Sequence, residues 1–323
     1  MLTVFCDDGS TSIKLAYFDE NKKLQTLVKD NGFISGWSNS FAGEAFNYTI
    51  EGEKYSYSPY DEDIIKTTNI NYQYRPVNAL GIQQTLQLSG LSPQAINLIV
   101  TLPISEYYTS DNQVNEVNVQ RKIDNVKRAL QLQGKDVFTF ESVKVYPESI
   151  PAVAPYLTEK TVTDRDMTLV VDLGGTTLDC GLVRGCFESV VKTSGVPSIG
   201  TGAIIKAVQQ QLAVSGTPSN YNDTDKLIRD MLAGKAWKQY INDPSQTENV
   251  EKALHAAIKH TANQIIEHIE ENYPQFHRLY LTGGGAELVY PALAERWSTL
   301  KERVKKLDEP QQALVIALSQ IAS

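Results

Sequence analysis

One pattern occurs twice in this chain, and it constrains the possible folds more than any other feature. Residues 4–18 read VFCDDGSTSIKLAYF, and residues 169–183 read LVVDLGGTTLDCGLV. Each stretch is an apolar strand that ends at an aspartate, followed by a glycine turn with small hydroxyl residues and a second apolar strand. In each half of the chain strands come first and helices later, so the sequence predicts two halves of similar architecture.

The two turns have the composition of anion-binding sites. Gly9, Gly174 and Gly175 permit tight turns that present backbone N–H groups with no Cβ in the way. The strand-end carboxylates of Asp7 and Asp172 would repel a bare phosphate, but they suit a divalent cation whose water shell they hold. We therefore predict that the two turns face each other and hold the phosphates of a nucleotide. For each turn alone, the alternative is an ordinary hairpin turn.

A third glycine-rich stretch supports a nucleotide site. YLTGGGAEL (280–288) is a strand, three glycines and the start of a helix. Gly283, Gly284 and Gly285 allow a ligand to approach the backbone, and the helix N-terminus favours a phosphate or ribose oxygen. The stretch matches neither the Rossmann fingerprint nor a P-loop, so by itself it is weak support.

The rest of the chain alternates between strand and helix signals. Strands are predicted at 4–8, 13–19, 23–30, 96–103, around 143–149, 167–185 (a pair) and 277–283, with a hairpin at 46–60; helices are predicted at 76–90, 114–133, 201–213, 247–272, 286–297 and from Pro310 to the C-terminus. A polar, proline-marked segment near residue 158 indicates a domain boundary. We predict a first domain over 1–158, a second over 159–307, and a last helix at about 308–323 that packs back onto the first.

Composition excludes several classes of protein. With 323 residues, 41% hydrophobic and 21% charged, the chain has the profile of a soluble globular protein, and we expect it in the cytoplasm. No apolar run approaches the ~20 residues of a membrane span, so no membrane association is expected. The net charge of −8 argues against direct binding of nucleic acid.

Three groups of residues could be interpreted as metal, redox or nucleic-acid sites, but we favour a structural role for each. Cys6, Cys180 and Cys186 have no metal or redox spacing and are expected to be small buried residues. The histidines are too irregularly spaced for a helical metal pair and are expected at the surface. A basic cluster in the predicted helix 114–133 is interpreted as a solvated helix face rather than a nucleic-acid patch: Arg121, Lys122, Lys127 and Arg128.

Together, the two turns and the strand–GGG–helix stretch resemble the phosphate-1, phosphate-2 and adenosine motifs of the actin and heat-shock-chaperone ATPase superfamily. Within it, the chain is similar to the plasmid-segregation actin-like ATPases of the ParM (StbA) family. The pieces that carry this resemblance are DDGSTSIKL, FNYTIEGEKYSY, TLPISEYY, VKVYPESIPA, VDLGGTTLD and GGGAEL. The resemblance implies an α/β, actin-like fold, with two ribonuclease-H-like domains flanking a nucleotide cleft.

The resemblance also implies residue roles. Asp7 and Asp172 would hold Mg²⁺ through water, Lys14 would reach the phosphates, and Glu148 would orient the attacking water. Glu148 and Asp172 are thus the implied catalytic residues, and the implied nucleotide-binding residues are Asp8, Gly9, Ser10, Thr11, Lys14, Gly174, Gly175, Thr176, Thr177, Gly283, Gly284 and Gly285. For Glu148 the alternative is an exposed loop acid.

The implied function is an ATPase that forms filaments with ATP, or with GTP as the alternative nucleotide, and Mg²⁺. It would segregate plasmid DNA through a small basic adaptor bound to a centromere-like DNA site. Two alternatives stay open. A sugar- or acetate-type kinase of the same superfamily would need a catalytic base such as Glu148 or Asp179, and a sensor would bind nucleotide without hydrolysing it.

Overall fold

The computed structural model describes residues 1–39, 45–158, 160 and 162–322. Two positions named in the predictions lie outside these described residues. They are residue 159, where the second domain is predicted to begin, and residue 323, where the last helix is predicted to end.

The first half is built on a five-stranded mixed sheet in the order β3-β2-β1-β7-β9. Its strands are β1 (Thr3–Asp8), β2 (Ser12–Phe18), β3 (Leu24–Asp30), β7 (Ala95–Leu102) and β9 (Thr139–Pro147). The first three form an antiparallel meander, while β7 lies parallel to β1 and β9 parallel to β7. The three antiparallel strands correspond to those that the sequence predicts at 4–8, 13–19 and 23–30.

The second half repeats this arrangement in a sheet with the order β12-β11-β10-β13-β14. Its strands are β10 (Met167–Leu173), β11 (Leu178–Arg184), β12 (Ser189–Val196), β13 (Arg278–Thr282) and β14 (Val304–Lys306). Again three antiparallel strands come first and two parallel strands follow. In both sheets the motif strand, β1 or β10, is central, so its glycine turn projects from the middle of the sheet edge.

A third, smaller sheet extends the first half in the order β4-β6-β5-β8. Its strands are β4 (Phe33–Ser35), β5 (Asn47–Ile50), β6 (Glu53–Tyr57) and β8 (Leu130–Leu132). The predicted hairpin is present, with Glu51 and Gly52 both at positive φ in its turn. Strand β8 corrects the prediction of a helix over 114–133, because residues 130–132 pair with β5 instead.

Helices surround the sheets: α1 (Pro76–Gln87), α2 (Ile104–Tyr107), α3 (Glu116–Val126), α4 (Thr201–Val214), α5 (Tyr221–Leu232), α6 (Thr247–Asn272), α7 (Ala286–Arg296) and α8 (Ala313–Ile321). The predicted last helix begins at Ala313 rather than at Pro310. Helix α5 has no counterpart among the predictions, because its polar sequence YNDTDKLIRDML has only a short apolar face. None of the helices in the described ranges is both long and apolar enough to cross a bilayer.

Helix α8, the last helix, packs against the first sheet. Its side chains Leu314, Val315 and Leu318 are buried in one apolar cluster with Phe5 and Ala16 of strands β1 and β2. The same cluster continues into the second sheet through Val170 and Val183. The two sheets therefore share apolar packing beneath the edge at which their glycine turns meet.

Lys122 contradicts the predicted solvated face of α3. Its side chain is fully buried and pairs with Asp8, which is also fully buried. Asn78 donates to Asp8 at 2.6 Å and accepts from Lys122 at 3.0 Å, and the Thr101 backbone N–H donates to Asp8 at 3.2 Å. Arg121 and Lys127 are exposed as predicted, and Arg128 is partly exposed.

Most of the cysteines are buried and most of the histidines are exposed, as the sequence predicts. Cys6 and Cys180 are buried, while Cys186 is partly exposed. Three histidines are exposed and one is not: His268 is half-buried, with its Nε2 2.8 Å from Ser194 Oγ.

The Lys122–Asp8 pair generates a stability prediction. In Lys122→Met, Asp8 loses its counterion in a buried site, so the free energy of unfolding should fall by about 3–5 kcal/mol. The double variant Asp8→Asn, Lys122→Met removes both charges and should recover most of the loss. Urea unfolding measures both.

Lys127→Met, at the exposed residue that follows α3, is the matched control, with an expected change within about 0.5 kcal/mol. A Lys122→Met variant as stable as this control would contradict the buried ion pair.

Candidate functional site

The first glycine turn connects β1 to β2 and brings a lysine onto an aspartate. Side chains alternate along a strand, so Asp7 faces the cleft while Asp8 points to the buried pair with Lys122. The antiparallel register places Lys14 directly opposite Asp7, and its ammonium lies 3.0 Å from the Asp7 carboxylate. Both side chains are nearly buried, at 11% and 13% exposure, so solvent screens this ion pair little.

The second turn meets the first across the cleft. Ser10 Oγ and Thr176 Oγ1 lie 2.7 Å apart, although 166 residues separate them in the chain. Gly175 permits this approach, because a Cβ there would lie 2.4 Å from Thr11 Cγ2. The N-terminal backbone of α4 supports the second turn from behind, with Thr201 N–H donating to the Gly174 carbonyl at 3.0 Å.

The third glycine stretch lies against the second turn. Gly283 has a φ of +87°, and a Cβ there would lie 2.1 Å from Asp172 Oδ1, so only glycine fits. Gly284 has no atom within 4 Å of the position of a Cβ and is open to the cleft. The carbonyl of Pro310 accepts hydrogen bonds from Gly283 N–H and Thr282 Oγ1, so the segment before α8 borders the same site.

Glu148 follows β9 at the base of the cleft. Its backbone N–H donates to the Leu102 carbonyl at 2.8 Å, which fixes the residue to the end of β7. The next residue, Ser149, has a φ of 69°, unusual for a residue with a Cβ, and this turn directs the chain away from the sheet. The Glu148 atom Oε1 is inaccessible to solvent and has no hydrogen-bond partner within the protein. A buried carboxylate oxygen in this state is suited to accept from a bound water or ligand.

Negative charge accumulates around the two turns. Burial, together with nearby Asp7, raises the pKa of Asp172 to about 6. Burial, reinforced by Asp7 and Asp179, raises the pKa of Glu148 well above its usual value. Burial also raises the pKa of Asp179 to about 7, against the effect of its hydrogen bond from Thr177 Oγ1 at 2.8 Å. Carboxylates packed this closely favour binding of a cation.

These elements line one cleft with a volume of about 530 Å³. The cleft brings together nearly all of the residues that the sequence assigned to the site: Asp7, Gly9, Ser10, Thr11, Lys14, Glu148, Asp172, Gly174, Gly175, Thr176, Thr177, Gly283 and Gly284. It does not include Asp8, whose side chain is in the buried pair, or Gly285, whose Cβ position faces Leu173 and Thr201. Across the described ranges, no group of three or more His, Cys, Asp or Glu residues is arranged to hold a metal by itself.

Another part of the cleft was not predicted. It is lined by Asp30, Ile204, Ile205, Tyr221, Asn222, Asp225, Ile228 and Arg229. Most of these residues lie on α4 and α5, which carry no glycine motif. The apolar face of α5, with Leu227 and Ile228 buried, was the signal that could have identified this helix.

Comparison with known families identifies the chain. The model described as "Plasmid segregation protein ParM, N-terminal" matches residues 2–159, and "Plasmid segregation protein ParM, C-terminal" matches residues 162–321. The chain belongs to the ParM family of plasmid segregation proteins. The family resemblance drawn from the glycine motifs is thereby confirmed, and with it the interpretation as an actin-like plasmid segregation protein. A comparison with curated protein sequences yields no match.

Solved structures confirm the actin-like fold. A non-polymerisable quadruple mutant of pCBH ParM has a TM-score of 0.72 at 15% identity, covering 99% of this chain and 98% of the mutant. A 15-stranded ParM filament from Clostridium botulinum has a TM-score of 0.71 at 15% identity, with 98% and 97% coverage. The archaeal actin homolog Ta0583 in complex with ADP has a TM-score of 0.70 at 16% identity, with 100% and 99% coverage.

The carboxyl of Asp179 generates a prediction about pH and stability. Its pKa is raised in the folded state, so folding takes up a proton between about pH 4 and 7, and stability falls as the pH rises through this window. Asp179→Asn resembles the protonated form, so its stability should fall less over the same window. Over this window, the free energy of unfolding of the unmodified protein should fall by about 4 kcal/mol more than that of Asp179→Asn.

Urea unfolding at several pH values, without magnesium or nucleotide, measures this difference. Asp164→Asn, at an exposed position before β10, is the control and should follow the unmodified protein. Equal pH dependence for the protein and Asp179→Asn would show that the buried carboxyl titrates normally.

Proposed function

We propose that this ParM-family protein binds ATP with Mg²⁺ in the cleft, forms filaments in that state, and hydrolyses ATP to disassemble them. The observation that carries the proposal is the meeting of the two glycine turns, through Ser10 and Thr176, in one cleft with the unpartnered carboxylate oxygen Oε1 of Glu148. The actin-like fold of the ParM family is generally that of an ATPase. Nucleotide binding is also consistent with the similar archaeal actin homolog Ta0583, whose structure was determined in complex with ADP.

The cleft contains the groups that a nucleoside triphosphate requires. The backbone of the two turns would supply N–H donors to the phosphates, and Lys14 would add a positive charge beside them. Gly284 leaves space for the ligand to contact the backbone of the third stretch. We propose ATP as the nucleotide, with GTP as the alternative.

The acidic cluster fits a magnesium ion. Asp7 and Asp172 are the two carboxylates that line the cleft on opposite turns, and each would hold the ion through its water shell. When bound, Mg²⁺ would neutralise charge on the phosphates and lower the pKa values that burial raises.

Glu148 is the residue that we propose orients the attacking water. Phosphoryl transfer to water needs alignment and charge neutralisation more than covalent help from the protein. The free Oε1 atom can accept a hydrogen bond from a water molecule and hold it in position. Burial and the neighbouring carboxylates raise the pKa of Glu148. The positive charges of nearby Lys14 and of a bound Mg²⁺ would oppose this effect and favour the ionised carboxylate that the role requires.

The kinase alternative is not favoured, since family models for plasmid segregation proteins match nearly the whole chain. We further propose that the chain divides into domains at 1–158 and 159–307, with α8 returning to the first. A small basic adaptor on a centromere-like DNA site would connect filaments to DNA, which suits a chain of net charge −8. We place the protein in the cytoplasm, where plasmid DNA resides.

Removing the Glu148 carboxylate tests the hydrolysis step. Glu148→Ala should retain ATP binding and lose at least about 100-fold of its turnover, because the water loses its hydrogen-bond acceptor. Phosphate release and binding of a fluorescent ATP analogue measure the two quantities separately. The control is Glu141→Ala, an exposed glutamate on β9, the strand that Glu148 follows. Unchanged turnover in Glu148→Ala would exclude Glu148 from the mechanism.

Light scattering at micromolar protein concentration tests filament formation. With Mg²⁺ and ATP we expect a rise followed by a decay, and with a non-hydrolysable analogue a rise that persists. GTP in place of ATP tests the nucleotide preference. A flat trace alongside clear ATP turnover would contradict the filament proposal and favour the kinase alternative, for which a metabolite should stimulate turnover.

A further inference from the structure

Strand β1 ends in two adjacent aspartates, Asp7 and Asp8, and only one of them faces the cleft. Successive side chains of a strand point to opposite faces of the sheet. Asp7 lines the cleft beside Lys14, whereas Asp8 is fully buried on the other face. The proposed magnesium site therefore depends on which face of the sheet each carboxylate occupies.

The apolar residues of β1 specify this orientation only weakly. Val4 and Cys6 are buried in one apolar cluster, while Phe5, on the opposite face of the strand, is buried in another. Both faces of the strand are thus apolar, and such a strand lacks the polar face that would fix its orientation. The charged residues at the end of β1 carry this information instead.

Lys122 of α3 holds Asp8 on the buried face, although 114 residues separate the two in the chain. The ammonium has three donors, which are matched by three side-chain acceptors: Asp8 Oδ2, Gln73 Oε1 and Asn78 Oδ1. The side chain of Lys122 has no exposed surface. A buried ammonium whose donors are all used is confined to one arrangement.

Both carboxylate oxygens of Asp8 are held in this pocket. Asn78 of α1 donates to Oδ2 at 2.6 Å, and the backbone N–H of Thr101 on β7 donates to Oδ1 at 3.2 Å. Asp7, the preceding residue, then points to the cleft, where the register of β1 and β2 places Lys14 opposite it.

The same ammonium contacts the wall of the cleft. Gln73, which accepts from Lys122, is one of the residues that line the cleft. Asn125 of α3 donates to the Gln73 carbonyl at 3.2 Å and to Asn78 Oδ1 at 3.2 Å. The end of β1 and the neighbouring wall of the cleft are therefore fixed to a single helix, α3.

We propose that Lys122 is a positioning residue for the magnesium site: by holding Asp8 behind the sheet, it keeps Asp7 facing the cleft. This inference rests on the proposed binding of Mg²⁺ and nucleotide. Without Lys122, the Asp8 carboxylate would be a buried charge with no counterion, and the end of the strand would shift to bring it toward water. Such a shift displaces Asp7 from the cleft.

The magnesium requirement of nucleotide binding tests this role. In Lys122→Met, the Mg²⁺ concentration that gives half-maximal mant-ATP binding should rise about tenfold or more, because Asp7 no longer holds the water shell of the ion. The affinity for mant-ATP in EDTA should change less than about twofold, since the second turn and the third glycine stretch keep their backbone donors. Lys127→Met is the control and should match the unmodified protein in both measurements.

Combination with Asp7→Asn separates positioning from a general structural role. Asp7→Asn alone should raise the Mg²⁺ requirement. Adding Lys122→Met should then raise it less than about twofold further, because both substitutions act on the same carboxylate. Effects that multiply would show that Lys122 acts on the cleft other than through Asp7, and would overturn the proposal.

Two double variants give the test without an unpaired buried charge, since Lys122→Met alone is expected to be less stable. Asp8→Asn with Lys122→Met keeps an amide that can bond to Asn78 and to Thr101 N–H, so its Mg²⁺ requirement should stay within about threefold of the unmodified protein. Asp8→Ala with Lys122→Met removes the anchor and should require at least about fivefold more Mg²⁺. Circular dichroism measures the folded fraction of each variant under the binding conditions.

The outcomes separate this inference from the function on which it rests. Equal Mg²⁺ requirements in the two double variants, with normal binding by the unmodified protein, would overturn the positioning role alone. Failure of the unmodified protein to bind mant-ATP, or binding that does not depend on Mg²⁺, would overturn the proposed function and this inference with it.

Discussion

The structure depends on the contact between two glycine turns that belong to different sheets. Ser10 and Thr176 share a hydrogen bond, and Gly175 packs directly against Thr11, so the turns are as close as their side chains permit. Larger residues at these positions would separate the turns and widen the cleft. The small and hydroxyl residues of the repeated pattern are thus explained by a packing requirement as well as by their hydrogen-bonding chemistry.

This close approach concentrates carboxylates in a small, poorly solvated volume. Asp7, Asp172 and Glu148 all line the cleft, and burial raises the pKa of each. Lys14 offsets part of the charge through its ion pair with Asp7. A divalent cation would offset the repulsion among these carboxylates, and this supports the proposal that Mg²⁺ and phosphates bind together there.

Two polar networks extend the influence of the first turn into the surrounding fold. Through Asp8, strand β1 is anchored to Lys122 of α3, and through Asn31 the turn is connected to α5 across the cleft. A buried ion pair adds little net stability, so its value lies in fixing one arrangement of the strand end. The hydrogen bonds from Asn222 of α5 to the carbonyls of Asn31 and Pro59 join neutral groups, so each contributes modestly to stability.

The sequence by itself determined the repeated strand–turn–strand units, the main helices and the set of glycines and carboxylates at the site. These features are local, since period-2 and period-3.6 patterns and glycine turns are encoded by neighbouring residues. Only the tertiary structure decided the partners of residues far apart in the chain. In the folded protein, Asp8 does not line the cleft but pairs with Lys122, which is buried although its helix looks solvated in the sequence. Residues 130–132 form a strand because they pair with β5. It also brought α5 to the cleft, because long-range packing and charge pairing override local pattern wherever a side chain finds a buried partner.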